Sequence, residues 1–79
     1  MHSNVTIKNE QYGLRIRLDE RELWESLLDE IRQKFRASAA FFEDAALTLT
    51  FAGRRLTEEE EDEVIRIIEE ETRIRVICV

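Results

Sequence analysis

The 79 residues predict an α/β (α+β) domain of element order β-β-α-β-α-β, a four-stranded mixed sheet with two helices on one face. Three observations predict it. Four short runs, "NVTIK", "GLRIRL", "LTLTF" and "RIRVICV", alternate apolar with polar residues, the period of a half-buried strand. Two intervening stretches change to helical spacing. The final strand–helix–strand step needs a crossover, and one apolar layer under two helices satisfies every stripe at once.

In the first run Val5 and Ile7 share one face, and Thr6 and Lys8 the other. "NEQYG" supplies turn chemistry, with Asn9 and Gly13 tolerant of positive φ. "GLRIRL" sets Leu14, Ile16 and Leu18 against Arg15 and Arg17, so residues 4–18 read as an antiparallel hairpin with a longer loop. In "DERELWESLLDEIRQKF", Leu23, Trp24, Leu27, Leu28, Ile31 and Phe35 form one stripe. Asp19 and Glu22 resemble an acidic capping box, which places the first helix at about residues 20 to 36. "ASAAFFEDAA" reads as a connector tucked onto the core, with Phe41 and Phe42 both packed. "LTLTF" turns Leu47, Leu49 and Phe51 inward and Thr48 and Thr50 outward. "TEEE" is a capping box with Thr57 as cap and Glu60 at the third helical position. The second helix buries Val64, Ile65 and Ile68, with Ile67 beside them. In the last strand, parallel to the third, Ile74, Val76 and Cys78 share the inner face, and Arg73, Arg75, Ile77 and Val79 the outer. The expected core is Leu14, Ile16, Leu18, Trp24, Leu28, Ile31, Leu49, Phe51, Ile68 and Val76.

The length fits one small domain, and a chain of 43% hydrophobic residues is too apolar to be disordered. No apolar run approaches the roughly 20 residues that span a bilayer, and no secretory segment opens the chain. One cysteine forms no internal disulfide, in keeping with a cytoplasmic protein. The chain stops inside an apolar strand, as a domain of a longer protein would.

The net charge is −6, and the whole excess falls in residues 37–79. An acidic domain is poorly suited to bind nucleic acid. Yet the sheet face left bare by the helices carries Thr6, Lys8, Arg15, Arg17, Thr48, Thr50, Arg75 and Ile77, with no acid among them. Such a face is either ordinary solvated surface or a docking face for an acidic protein, where complementary charge speeds encounter and sets orientation.

Catalytic material is scarce. His2 is the only histidine and lies beside the N-terminus. Cys78 points inward as a core thiol. Residues 58–63 read as a solvated helix start rather than a metal site, because carboxylates favour the helix N-terminus. No glycine-rich phosphate loop exists, and the bare face lacks the aromatics that stack RNA bases. No catalytic residue, metal ligand or cofactor is assigned.

The stretches "VTIK", "GLRIRLD", "AFFEDAALTLTFAGRRLTEEE" and "TRIRVICV" together resemble the N-terminal domain of the MinC family, septum-site inhibitors of bacterial division. The likeness runs in order along nearly the whole chain. Asn9 replaces a usual glycine, Ala39 and Ala46 stand where prolines are common, and Ile74 and Cys78 occupy two glycine places. The resemblance implies binding to the tubulin-like protein FtsZ and antagonism of its filaments. It implies that a C-terminal domain, absent from residues 1–79, dimerises and binds the membrane ATPase MinD, bringing a cytoplasmic protein to the membrane without direct membrane contact. It also implies that Lys8 is a determinant of inhibition; Arg15, Arg17 and Arg75 join it on the charge argument alone. The rival readings are a STAS-like regulatory module, with Thr57 as phosphorylation site, and a small acyl-phosphate hydrolase. Edge strands and the hairpin leave a homodimer or domain swap open.

Overall fold

A computed structural model describes residues 4–11 and 13–78, with the side chain of Cys78 excepted. The readings of His2, Val79 and the Cys78 thiol lie outside the described residues. The elements are β1 (Val5–Asn9), β2 (Gly13–Leu18), α1 (Trp24–Phe42), β3 (Ala46–Ala52), α2 (Glu58–Glu71) and β4 (Arg75–Cys78). The sheet order is β1-β2-β3-β4, with β1 antiparallel to β2 and the remaining pairs parallel. Both helical crossovers therefore step the same way across the sheet, and a common hand for such connections puts both helices on one face.

The hairpin is tighter than the longer loop expected. Glu10 and Gly13 exchange main-chain hydrogen bonds of 2.8 and 3.4 Å, which closes the turn. Gly13 has a different reason to be glycine from the one its turn position suggests. Among the described residues the only glycine at positive φ is Gly53. A Cβ at Gly13 would overlap the hydroxyl and carbonyl oxygens of Thr48, its partner on β3. The missing side chain lets β2 and β3 approach.

Helix α1 starts about four residues later than the capping pattern suggests and runs six residues further. Asp19 caps a turn instead: its Oδ1 accepts from Arg21 N at 2.9 Å, and its carbonyl accepts from Glu22 N. Leu23 becomes the residue before the helix, with no side-chain cap, and is 72% exposed. At the other end Ala37, Ser38, Ala39 and Ala40 contain no breaker, so the connector stays helical through Phe42. Phe42, seven residues after Phe35, shares its face and packs on it with ring centroids 5.8 Å apart. Phe41 lies off that face. It meets Phe42 edge-on but is 73% exposed, so only one ring of the pair is packed as expected.

The capping box of α2 forms as read. Glu60 N donates to Thr57 Oγ1 at 3.1 Å, and Thr57 N donates to Glu60 Oε1 at 2.9 Å. The core joins Leu27, Ile31 and Phe35 of α1 and Val64, Ile67 and Ile68 of α2 to Val5, Leu14, Ile16, Leu18, Leu49 and Ile74 of the sheet layer, whereas Ile65, expected to be buried, packs only at its margin. Six of the ten expected core residues are fully buried; Trp24, Leu28, Phe51 and Val76 pack at its margin. Among the described residues no polar side chain is buried, so the interior is stabilised by apolar burial, at about 1.5–3 kcal/mol per large side chain.

Polar contacts tie the helices together at their rims. Arg32 bonds to Glu70 and Glu71, and Arg36 grips Glu71 through Nε at 2.9 Å and a terminal nitrogen at 3.1 Å. Hydrogen bonds from Arg36 and then Arg32 lower the Glu71 carboxyl to a pKa of about 2. At the opposite end Trp24 Nε1 donates to Glu63 at 3.4 Å, while Arg54 stacks over the Trp24 ring and donates to the Glu22 carbonyl at 2.7 Å. Among the described residues no helix is long and apolar enough to cross a membrane.

Candidate protein-docking face

The sheet face opposite the helices is set by register. Alternation along β1 and β2 turns Val5, Ile7, Leu14, Ile16 and Leu18 toward the helices, and Thr6, Lys8, Arg15 and Arg17 away from them. All four outward side chains are exposed. Strand pairing then forms rows across the sheet: Lys8–Arg15–Thr50 and, next to it, Thr6–Arg17–Ala52.

Lys8 and Arg15 are direct partners. Asn4–Asp19 and Glu10–Gly13 are bonded on either side of them, and the alternation makes Lys8–Arg15 a hydrogen-bonded pair too. Their Cα atoms are therefore about 5.5 Å apart. Two like charges in this position oppose sheet formation by a few tenths of a kcal/mol to about 1 kcal/mol. Threonine at either site would give a better strand.

The face is less purely basic than its strand residues suggest. Glu10, from the hairpin turn, reaches back to Arg15 with Oε2 at 3.1 Å from Nε. Sequence reasoning missed it because Glu10 lies off the strand alternation; its place beside a tight turn was the available signal. Arg15 thus has its guanidinium fixed by a partly exposed ion pair. Among the described residues, Lys8, Arg17 and Arg75 have no carboxylate within salt-bridge distance.

Arg17 is held differently. At the end of β3, Gly53 has φ +82°, and a Cβ there would lie 2.5 Å from the Leu18 carbonyl oxygen and 3.2 Å from Arg17 Cγ. Without a Cβ the turn passes beside the aliphatic stem of Arg17, which is exposed. Arg75 stands apart. It pairs with Ala46, four residues before Thr50 on β3, and two strands away from Arg15. Strand geometry separates Arg75 from Arg15 by about 16 Å. The sequence grouped four basic residues; the structure brings together three. Beside Arg75, β4 carries an extra residue, Ile77, between the pairs Leu47–Val76 and Thr48–Cys78, and it is 64% exposed.

The Thr57 hydroxyl accepts the capping bond of α2 from Glu60 N. Among the described residues no cluster of three His, Cys, Asp or Glu side chains is arranged to hold a metal. What the bare face offers is two guanidinium groups and an ammonium within a few strand spacings, suited to carboxylates presented by a protein surface.

Residues 5–79 match the family described as the cell-division inhibitor MinC, N-terminal domain-like. The whole chain is 40% identical to a probable septum site-determining protein MinC of Agathobacter rectalis, and 32% identical to that of Lachnospira eligens. Over 92% of its length it is 30% identical to the one from Acetivibrio thermocellus. In each case it spans 32% of the relative's length. No solved structure matches the chain.

Proposed function

The chain belongs to the MinC N-terminal domain family, and we propose that it inhibits septum formation by binding FtsZ through the face centred on Lys8, Arg15 and Arg17. The observation that carries this reading is the Lys8–Arg15 pair: like charges in direct register, on the one sheet face that no helix covers. Such a pair is a cost to the isolated fold and becomes favourable when a carboxylate surface meets it. Arg75, about 16 Å away, lies at the rim of this face rather than in its centre.

In the same reading the domain is a binding module without catalysis or cofactor. MinD binding and stable dimerisation belong to sequence outside residues 1–79. The protein acts in the cytoplasm and reaches the membrane through MinD, not through contacts of its own with lipid or nucleic acid. Cosedimentation with polymerising FtsZ tests the proposal. The domain pellets with the polymer at low salt and less so as salt rises, because the contact is between charges. Absence from the pellet at low salt, with the domain shown to be folded, would sink it.

A further inference from the structure

A face that receives carboxylates is weakened by a carboxylate of its own, yet Glu10 stands on it. Glu10 lies just past the end of β1, two residues after Lys8, and reaches Arg15 diagonally across the hairpin, with Oε2 3.1 Å from Nε. Its main chain closes the turn with Gly13, and that closure does not use the side chain. The Arg15 and Glu10 side chains are 49% and 37% exposed, and an ion pair this wet contributes little to the fold. Among the described residues the contact engages Arg15 at Nε alone, so the edge formed by its two terminal nitrogens carries no partner. That edge matches the two oxygens of a carboxylate through parallel hydrogen bonds. Lys8, the direct cross-strand partner of Arg15, lies in the same row and, among the described residues, has no carboxylate within salt-bridge distance.

We infer that Glu10 is a positioning residue of this face: by holding Nε it fixes the Arg15 guanidinium with its terminal edge free, so that Arg15 and the Lys8 ammonium together grip one carboxylate of the partner. The inference rests on the reading of this face as the FtsZ contact. An arginine side chain has several rotatable bonds, and one that is untethered loses that freedom only when it binds, at a cost to affinity. Glu10 moves the loss into the free domain, where the closed hairpin already brings the two side chains together. Two effects of Glu10 then oppose each other. Its charge repels an approaching acidic surface and slows encounter, while its hydrogen bond lengthens residence. Glutamine separates the two, because its side-chain carbonyl accepts from Nε as the carboxylate does but carries no charge. Alanine removes both.

The experiment compares wild type, Glu10→Gln and Glu10→Ala, with thermal unfolding as the check that all three are equally folded. Stopped-flow fluorescence measures association with FtsZ polymer and dissociation from it, and nitrogen-15 relaxation measures the mobility of the Arg15 Nε–H in the free domain. Both variants should associate faster than wild type at low salt, and at the same rate as each other, since each removes one negative charge. Glu10→Ala should leave the polymer about 2- to 10-fold faster than Glu10→Gln. The Arg15 Nε–H should be rigid in wild type and Glu10→Gln and mobile in Glu10→Ala. Equal dissociation of the two variants from a polymer that wild type binds would overturn the positioning role and leave the FtsZ reading intact. So would slower dissociation of Glu10→Ala than of wild type, which would make Glu10 a competitor for Arg15, and so would equal mobility of Arg15 in all three proteins. If none of the three binds the polymer, the FtsZ reading itself fails and takes this inference with it.

Discussion

Lys8 on the edge strand and Arg15 on its neighbour face each other across the sheet, and the only carboxylate bonded to either among the described residues, Glu10, goes to Arg15. The ammonium of Lys8 is thus the free charge of the pair. Removing it relieves repulsion and leaves Val5 and Ile7 packed, so Lys8→Ala should change stability by no more than about 0.5 kcal/mol. If Lys8 meets a carboxylate of FtsZ in a desolvated contact, the same change weakens binding by roughly 2–5 kcal/mol; a contact at a wet rim gives under about 1 kcal/mol. FtsZ pelleting and thermal unfolding of wild type, Lys8→Ala and Lys8→Glu distinguish these, with charge reversal the most damaging to pelleting. Undiminished inhibition by a folded Lys8→Glu domain would remove Lys8 from the site.

Glu71 sets the acid response of the helix pair. Its pKa is lowered from 4.5 to about 2 by the hydrogen bonds of Arg36 and Arg32. A carboxylate depressed in the folded state contributes stability that is fully present above its unfolded pKa and is lost as pH falls through the folded one. Chemical denaturation from pH 6 down to about 2 should therefore show stability declining below about 4.5. In Glu71→Gln that decline should be shallower, and the two proteins should converge at the acid end. Parallel profiles would mean that the arginines confer no net stability through Glu71.

Glu43 ends α1 with φ 50° and ψ −127°, the one described non-glycine residue at positive φ. Its side chain is exposed, so little packing is lost with it. Glycine adopts this conformation without a Cβ clash, though it adds freedom to the unfolded chain. Strain of this kind costs about 1–3 kcal/mol, and Glu43→Gly should raise stability by about 1 kcal/mol. Denaturant midpoints at constant slope measure it. A loss of stability would show that the strain is smaller than the entropy of the added glycine.

Much of the fold was legible because burial imposes period. Leu14, Ile16 and Leu18 were readable as one face, and the Thr57–Glu60 box marked the start of α2 to the residue. Register across strands was not legible. That β2 lies parallel beside β3, and that Arg75 falls a row group away from Arg15, depend on which strands meet, and local alternation is silent on that. Signals that serve two purposes misled. Asp19 bonds local amides whether it caps a helix or a turn, and Gly13 suits both a positive φ and a close strand approach. Glu10 escaped notice because its contact with Arg15 bridges the turn rather than a strand row.

The far end of α1 offers the sharpest test of a single sequence letter. The helix continues to Phe42 through Ala39, with no helix breaker in its last turns. A proline at 39 lacks the N–H that bonds to the carbonyl of Phe35, and its ring collides with that carbonyl. Both faults fall on the turn that brings Phe42 onto Phe35, with the rings 5.8 Å apart. In mid-helix such a substitution costs about 3 kcal/mol. Here the last turn can instead unwind, which spares the backbone clash but withdraws Phe42 from the core margin. Ala39→Pro should therefore cost about 2–3 kcal/mol, lose helical circular dichroism from the last turn and weaken the Phe35–Phe42 contact seen in ring-proton spectra. The basic face, built on β1 and β2, should bind its partner unchanged. A proline variant as stable as wild type, with its helix content reduced, would show that residues 39–42 are helical by propensity alone and that Phe42 contributes nothing to the core.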